Sequence, residues 1–177
     1  MTITGVTGYL GSQIAAIFLK EGGFRVRGTV RSKSNSFKIC PLKAGLGTLF
    51  DKMELVEADL LDEASIMKAC EGATYVVHSA SPMSPYLSED ELMKPAVFGT
   101  TAVMKACTQN KVKRCVITSS TMAICATDRT DMPPKGSKWN ETYWSNPDRP
   151  NGQNDNYEDM QAYANSKTKG EKAAWDF

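Results

Sequence analysis

The sequence predicts an α/β fold: a doubly wound parallel sheet with helices on both faces. Three observations predict it. Strand-like and helix-like patterns alternate from the first residues to about residue 120. The run "TYVVHSA", residues 74–80, is short and almost continuously apolar, as a strand buried on both faces must be. Three glycines, Gly5, Gly8 and Gly11, recur every third residue between the first strand pattern and the first helix pattern.

The elements follow in order. "MTIT" is a short β-prone start. Tyr9 to Gly22 carries apolar residues at helical spacing, Leu10, Ile14, Ile17 and Phe18, and "EGG" stops it. "FRVRGTVR" alternates with period two and predicts a strand; "MELVEAD" predicts a third, followed by a helix over "EASIMKAC". "TYVVHSA" is the fourth strand. A long helix runs from about Asp90 to Asn110, with Pro95 either kinking it or sitting in its first turn. "RCVITSS" is the fifth strand. Residues 127–156 are rich in Pro, Gly, Asn and Asp and predict a long loop, of the kind that carries function or is disordered. Tyr157 to Phe177 is helical. No repeat or low-complexity tract interrupts this order.

Bulk composition narrows the function classes. The chain has 177 residues, enough for one domain spanning 1–177 with a real core. Hydrophobic residues make up 41% and charged residues 23%, a globular composition. The 21 basic and 20 acidic residues nearly cancel, so no basic field points to nucleic acid. Cys40, Cys70, Cys107, Cys115 and Cys125 are scattered and form no C-x-x-C pair, which favours reduced core thiols over disulfides or zinc. His78 is the one histidine, which excludes a metal site built on several histidines. No run reaches the ~20 apolar residues of a membrane span, and the start lacks a basic signal region, so the expectation is a cytoplasmic protein.

The glycine spacing has a mechanical reading. Gly5 allows a tight turn, Gly8 lets backbone approach a pyrophosphate, and Gly11 permits close helix packing. The helix N-terminus then offers unpaired N–H groups and a positive dipole end to the phosphates. A ligand-free glycine turn is the plainer alternative, and the strand before it and the helix after it weigh against that. At the end of the second strand a carboxylate would suit NAD, and cations would suit the 2′-phosphate of NADP. "TVRSKSNSFK" supplies Arg31, Lys33 and Lys38 and no acid, so the expected cofactor is NADP. A solvated basic loop is the alternative there.

"YANSK" places Tyr163 and Lys167 one helical turn apart on one face. An ammonium near a phenol favours its ionised form, so the pair is a plausible proton donor to a carbonyl that receives hydride. The spacing alone also occurs in ordinary amphipathic helices. Ser119 and Ser120 end the fifth strand, where parallel sheets bind ligands, and a hydroxyl there can hydrogen-bond a substrate carbonyl or simply cap a turn.

With those motifs in view, the sequence resembles the extended short-chain dehydrogenase/reductases, in the dihydroflavonol 4-reductase and cinnamoyl-CoA reductase branch. The resemblance runs nearly end to end through "VTGYLGS", "VRGTVRS", "EADLLD", "VVHSASPM", "KPAVFGTTAVMKAC", "CVITSS", "NETYWS" and "AYANSKTKGEKAAW". It implies a Rossmann-type domain and catalysis by Ser120, which hydrogen-bonds the carbonyl, Tyr163, which donates the proton, and Lys167, which contacts the nicotinamide ribose and tunes the tyrosine. It implies NADP contacts from the turn residues Gly5, Gly8, Tyr9, Leu10 and Gly11, with Arg31 and Lys38 on the 2′-phosphate. Asp59 and Leu60 of "ADL" lie by the adenine, and Ala80, Ser81 and Pro82 line the cofactor ribose. Two positions depart from the branch. Cys125 stands five residues after the catalytic serine, where dihydroflavonol reductases use an Asn or Asp to grip the flavonoid. Phe98 stands where many relatives are polar. His78 matches a family histidine, for which a structural role is expected.

The resemblance implies an NADPH-dependent reduction of a ketone or aldehyde, or the reverse oxidation, on a small-molecule substrate. Two other readings stay open. A sugar-nucleotide epimerase or 3β-hydroxysteroid dehydrogenase shares the glycine turn and the Tyr/Lys pair, although an acid at position 31 would suit it better than Arg31. An NADP-binding module or catalytically dead truncation is the third. Extended family members are much longer, so the expectation is a domain truncated before its C-terminal substrate lobe, with the fifth strand left as an unpaired edge.

Overall fold

The computed structural model describes residues 1–83, 86–125, 133–134, 136–146 and 158–177. Much of the 127–156 segment, and Tyr157 at the expected start of the last helix, lie outside the described residues. The chain divides into two compact units, Met1–Ala80 with Ala102–Thr118, and Ser81–Thr101 with Ser119–Phe177.

The first unit holds a five-stranded parallel sheet. Its strands are β1 (Thr2–Thr4), β2 (Val26–Val30), β3 (Met53–Glu57), β4 (Tyr75–His78) and β5 (Arg114–Ile117), in the order β3-β2-β1-β4-β5. Each neighbouring pair is parallel, with Ile3 opposite both Gly28 and Val77. β1 is only three residues long, yet it is central and wholly buried. Its polar residues suit that place because their hydroxyls are used; Thr2 Oγ1, for example, donates to Ala69 O at 2.9 Å.

Alternation along the strands sorts side chains to two faces. Ile3, Val26, Val30 and Met53 pack with Ala15 and Leu19 of α1 (Tyr9–Glu21) and Leu42 and Leu46 of α2 (Ser36–Leu46). Val76 and Ala58 pack on the other face with Ile66 and Ala69 of α3 (Glu63–Ala69) and Ala102, Val103 and Ala106 from the end of α4 (Glu89–Gln109). This is the doubly wound arrangement the alternating patterns predict. Cys70, Cys107 and Cys115 meet in this second cluster. Hydrogen bonding to Cys115 and Cys70, together with burial, pushes the Cys107 thiol upward. All five cysteines are free.

Local sequence sets the helix ends. Gly22, at φ 75°, closes α1 by donating its N–H to Phe18 O at 3.2 Å. Asp62 caps α3, its carboxylate accepting from the Ala64 and Ser65 amides. Ser88 and Glu91 form a reciprocal capping box before α4: Glu91 N–H donates to Ser88 Oγ at 3.3 Å and Ser88 N–H donates to Glu91 Oε2 at 2.9 Å. Pro95 lies inside α4, beyond its first turn. α2 and the 3-10 turn Gly47–Lys52 were not foreseen in the sequence pattern, and neither was the short helix α5 (Met122–Cys125).

The second unit is helical. It contains the first part of α4, then α5 and α6 (Glu158–Trp175). α6 buries Ala164, Asn165, Ser166, Lys167, Thr168 and Gly170. The small residues let it lie close to its neighbour: a Cβ at Gly170 would stand 3.2 Å from Ala96 O of α4. Asn165, 1% exposed, links the same two helices, donating to Glu89 Oε1 at 3.0 Å while accepting from Gln161 at 2.8 Å. Among the described residues no helix is long and apolar enough to cross a membrane.

Candidate active site

In the first unit, β1 delivers the chain into the glycine turn through Thr4. Thr4 Oγ1 accepts the N–H groups of Ser79 and Ala80, each at 3.1 Å, and stands 2.8 Å from His78 Nδ1. With its lone pairs so used, the hydroxyl gives its proton to Nδ1, which assigns the ring proton of His78 to Nε2. Ser79 Oγ donates back to Thr4 O at 2.6 Å. His78 is 4% exposed, so it serves here as part of a clip between β1 and the end of β4.

The clip brings Ala80 against the turn, and only glycine fits there. Gly5 has φ 69°, and a Cβ on it would lie 2.8 Å from Ala80 Cα. A Cβ on Gly11 would lie 2.5 Å from Gly5 O and 3.0 Å from Ser79 Oγ. Gly8 donates to Gly5 O at 2.9 Å and caps α1 without any side-chain bond. The first amides of α1, at Tyr9, Leu10 and Gly11, have no helical acceptor and form the positive end of the helix dipole. Tyr9 is 89% exposed, so its side chain does not cover them. A bare backbone cradle at a helix N-terminus fits the diphosphate of a dinucleotide.

Beyond β2 the chain is basic. Arg31, Lys33 and Lys38 are exposed. Lys38 lies in the first turn of α2, which Asn35 caps by accepting from the Lys38 amide at 3.3 Å. An open cavity of about 500 Å³ is lined by Thr7 of the glycine turn and by Ser36, Phe37, Lys38, Cys40 and Pro41. A groove that joins the phosphate cradle to a lysine fits the phosphorylated end of NADP. Sequence reasoning read the glycine turn without singling out Thr7, and it missed Phe37 because it did not foresee α2. Asp59 is exposed and accepts from the Leu61 amide at 2.8 Å, while the half-buried Leu60 packs on the α3–α4 core cluster. Ala80 closes the first unit's leading segment; Ser81 and Pro82, both half-buried, belong to the second unit.

In the second unit, α6 brings Tyr163 and Lys167 together. Lys167 Nζ lies 5.6 Å from the centroid of the Tyr163 ring. Tyr163 is half-buried and Lys167 is 9% exposed. Burial lowers the Lys167 pKa below the ordinary 10.5. Ser120 sits in the turn before α5, and its Oγ accepts the Met122 amide at 3.2 Å, a bond that uses a lone pair and not the hydroxyl proton. Its neighbour Ser119 donates its hydroxyl to Glu171 Oε2 of α6. Cys125 ends α5 with its side chain exposed, and Phe98 is 42% exposed. Among the described residues no cluster of His, Cys, Asp and Glu could hold a metal ion.

The buried lysine has a measurable signature. Folded protein releases the Lys167 proton at lower pH than the unfolded chain, so between the two pKa values the unfolded chain binds more protons and stability rises with pH. Lys167→Met lacks that penalty at every pH. Its unfolding free energy, relative to the parent's, therefore exceeds its own alkaline value at neutral pH and falls as pH climbs toward 10.5. Denaturant titrations across that range check this; a difference that is flat or grows contradicts it.

Comparisons with known proteins agree with this architecture. The model of the 3-beta hydroxysteroid dehydrogenase/isomerase family matches residues 2–174. Tetraketide alpha-pyrone reductase 1 of Arabidopsis thaliana is 36% identical over 99% of this chain and 51% of its own length. An anthocyanidin reductase ((2S)-flavan-3-ol-forming) of Vitis vinifera is 35% identical over 99% of this chain and 50% of its own. The chain thus spans about half the length of the curated relatives it matches. Among solved structures, yeast methylglyoxal/isovaleraldehyde reductase complexed with NADPH superposes with a TM-score of 0.77 at 26% identity, covering 99% of this chain and 52% of that one. Vestitone reductase from alfalfa gives 0.70 at 32% identity, covering 99% and 51%. With the strand order and the glycine turn already pointing the same way, the chain belongs to the 3-beta hydroxysteroid dehydrogenase/isomerase family, within the extended short-chain dehydrogenase/reductases.

Proposed function

We propose that residues 1–177 form the NADP-binding and catalytic part of a reductase that converts a small ketone or aldehyde to an alcohol. The observation that carries this reading is the buried Lys167 packed beneath the Tyr163 ring at 5.6 Å. NADPH, when bound, supplies hydride to the carbonyl carbon. Ser120 donates its hydroxyl proton in a hydrogen bond to the carbonyl oxygen and so polarises it. Tyr163 hands its phenolic proton to that oxygen as negative charge develops there. Lys167 keeps positive charge beside the phenol and favours its ionised product form. The glycine turn, with the amides of Tyr9, Leu10 and Gly11, takes the diphosphate, and Arg31 and Lys38 take the 2′-phosphate. Asp59 and Leu60 flank the adenine, and Ala80, Ser81 and Pro82 the ribose. The relatives named above are reductases, and one was crystallised with NADPH, which supports both the direction and the cofactor.

The matching family model, named for a hydroxysteroid dehydrogenase, favours a second reading, in which the same residues oxidise a secondary alcohol. Arg31, where an acid would hold NAD, sides with NADP and reduction.

Cofactor choice gives a prediction. Arg31→Ala weakens NADPH binding roughly 10- to 100-fold, the loss of a hydrogen bond to a charged group at about 1.5–3 kcal/mol, and leaves NADH binding unchanged. Parallel fluorescence titrations with the two nucleotides measure it; equal weakening of both removes the assignment of Arg31. For the function itself, NADPH fluorescence titration is set against a carbonyl-reduction assay on small ketones and aldehydes, using the protein at its natural full length. Binding with reduction supports the proposal. Binding without reduction makes the chain a cofactor-binding module, and no binding withdraws the NADP assignment as well.

A further inference from the structure

We infer that Glu171 is a positioning residue that ties the serine-bearing turn to the catalytic helix; the inference rests on the reductase reading above. Glu171 lies four residues after Lys167 and eight after Tyr163 on α6, so the three share one helical face. Its Oε2 accepts the hydroxyl of Ser119, and its Oε1 accepts the indole N–H of Trp175 at 3.4 Å, so both carboxylate oxygens are engaged. Ser119 is the chain neighbour of Ser120, and it is half-buried. The turn is also held by bonds of its own and by Ser145: Ser120 O accepts from Ala123 N at 3.0 Å and Ser120 Oγ from Met122 N at 3.2 Å, while Ser145 donates its N–H to Ala123 O and its hydroxyl to Met122 O, each at 2.8 Å. Those bonds shape the turn but do not connect it to α6. The Ser119–Glu171 bond does, and it ties Ser120 to the helix that carries the proton donor and the lysine.

The consequence lies in geometry and not in charge at the reacting atoms. Ser120 and Tyr163 must address the same carbonyl oxygen at once, and they come from separate elements. If the tether is cut, the turn carrying Ser120 drifts relative to Tyr163, and a shift of ~1 Å in such a pair costs on the order of 100-fold in rate. Neither the diphosphate cradle nor the basic loop is part of this bond, so cofactor affinity stays where it was.

The test is a double-mutant cycle on Ser119 and Glu171 in the natural full-length protein, reading kcat, KM and NADPH affinity, with active sites counted by NADPH titration. Glu171→Ala lowers kcat per active site on the order of 100-fold with KM and NADPH affinity changed by less than about twofold, the split expected when only transition-state alignment is lost. Ser119→Ala lowers kcat similarly, and the double variant loses no more than either single one, because both remove the same bond. Glu171→Gln keeps an acceptor oxygen for Ser119 and recovers kcat to within about tenfold of the parent. A role confined to stability would reduce the number of active sites and leave kcat per site alone; that result overturns the inference, as do additive losses or a Glu171→Gln as impaired as Glu171→Ala. Should Glu171→Ala not fold, Ser119→Ala and Glu171→Gln decide by the same criteria. A parent protein that binds NADPH but reduces no carbonyl defeats the reductase reading and the inference with it. A parent that turns over while Ser119→Ala and Glu171→Ala keep its kcat defeats the inference alone.

Discussion

Tyr163→Phe is expected to all but abolish carbonyl reduction while NADPH still binds. The substitution removes one oxygen and leaves the ring that packs over Lys167, so the helix face is preserved. What disappears is the proton delivered to the substrate oxygen, and a positioned general acid is worth about 10²–10⁴ in rate. In the proposed reading the glycine turn and the basic loop take the phosphates without the phenol oxygen, so NADPH affinity is expected to stay within about twofold of the parent. Steady-state kinetics with a fluorescence titration on the same preparation measure both. Turnover within about tenfold of the parent would take the proton-donor role away from Tyr163.

Gly5→Ala is expected to have the largest effect on stability. Two costs coincide at this residue. Its φ of 69° lies in the left-handed region, where a Cβ costs about 1–2 kcal/mol. The new methyl would also stand 2.8 Å from Ala80 Cα, a backbone atom that cannot rotate away. Overpacking of that kind costs about 1–3 kcal/mol. Ala80 cannot retreat cheaply either, because its N–H is held by Thr4 Oγ1 in the clip that also engages His78. The expected loss is about 2–5 kcal/mol, accompanied by weakened NADPH binding because the turn shapes the phosphate cradle. Denaturant unfolding measures the first and nucleotide titration the second. A loss below about 1 kcal/mol would mean that the turn relaxes around the methyl.

Where the sequence was informative, the signal was local. β4 is visible because its run "YVV" is apolar at consecutive positions, although Tyr75 at its start is exposed and His78 at its end is polar. α1 is visible because Leu10, Ile14, Ile17 and Phe18 give helical spacing and Gly22 ends the run, although the face that is buried carries Gly11, Ala15 and Leu19 and leaves Leu10 and Ile17 exposed. The Tyr163/Lys167 pair is visible because one helical turn separates them. α2 was hidden: Pro41 sits inside it, and Leu42 and Leu46 are its only buried residues, too few to mark a face. The candidate groove along α2, with Phe37, was hidden for the same reason.

Other parts of the candidate site depend on contacts between distant residues, which no window of sequence contains. Thr4 meets Ser79 and Ala80 across 75 and 76 positions. Ser119 meets Glu171 across 52. Lys167 is 9% exposed in the folded chain, so spacing gave the pair but not its environment. A structural role for His78 was the expectation, and its partner, a threonine hydroxyl on the neighbouring strand, became evident only in the folded chain.

Isotope transfer decides whether hydride passes from NADPH to a carbonyl on this protein. NADPH deuterated at its transferable ring hydrogen is incubated with the full-length protein and a panel of small ketones and aldehydes, and the alcohols formed are analysed by mass spectrometry. Deuterium is expected on the carbinol carbon of the product in the parent protein, and at least about 100-fold less labelled alcohol from Tyr163→Phe under the same conditions. Alcohol formed without deuterium, or bound NADPH whose label reaches no carbonyl in the panel, would contradict it.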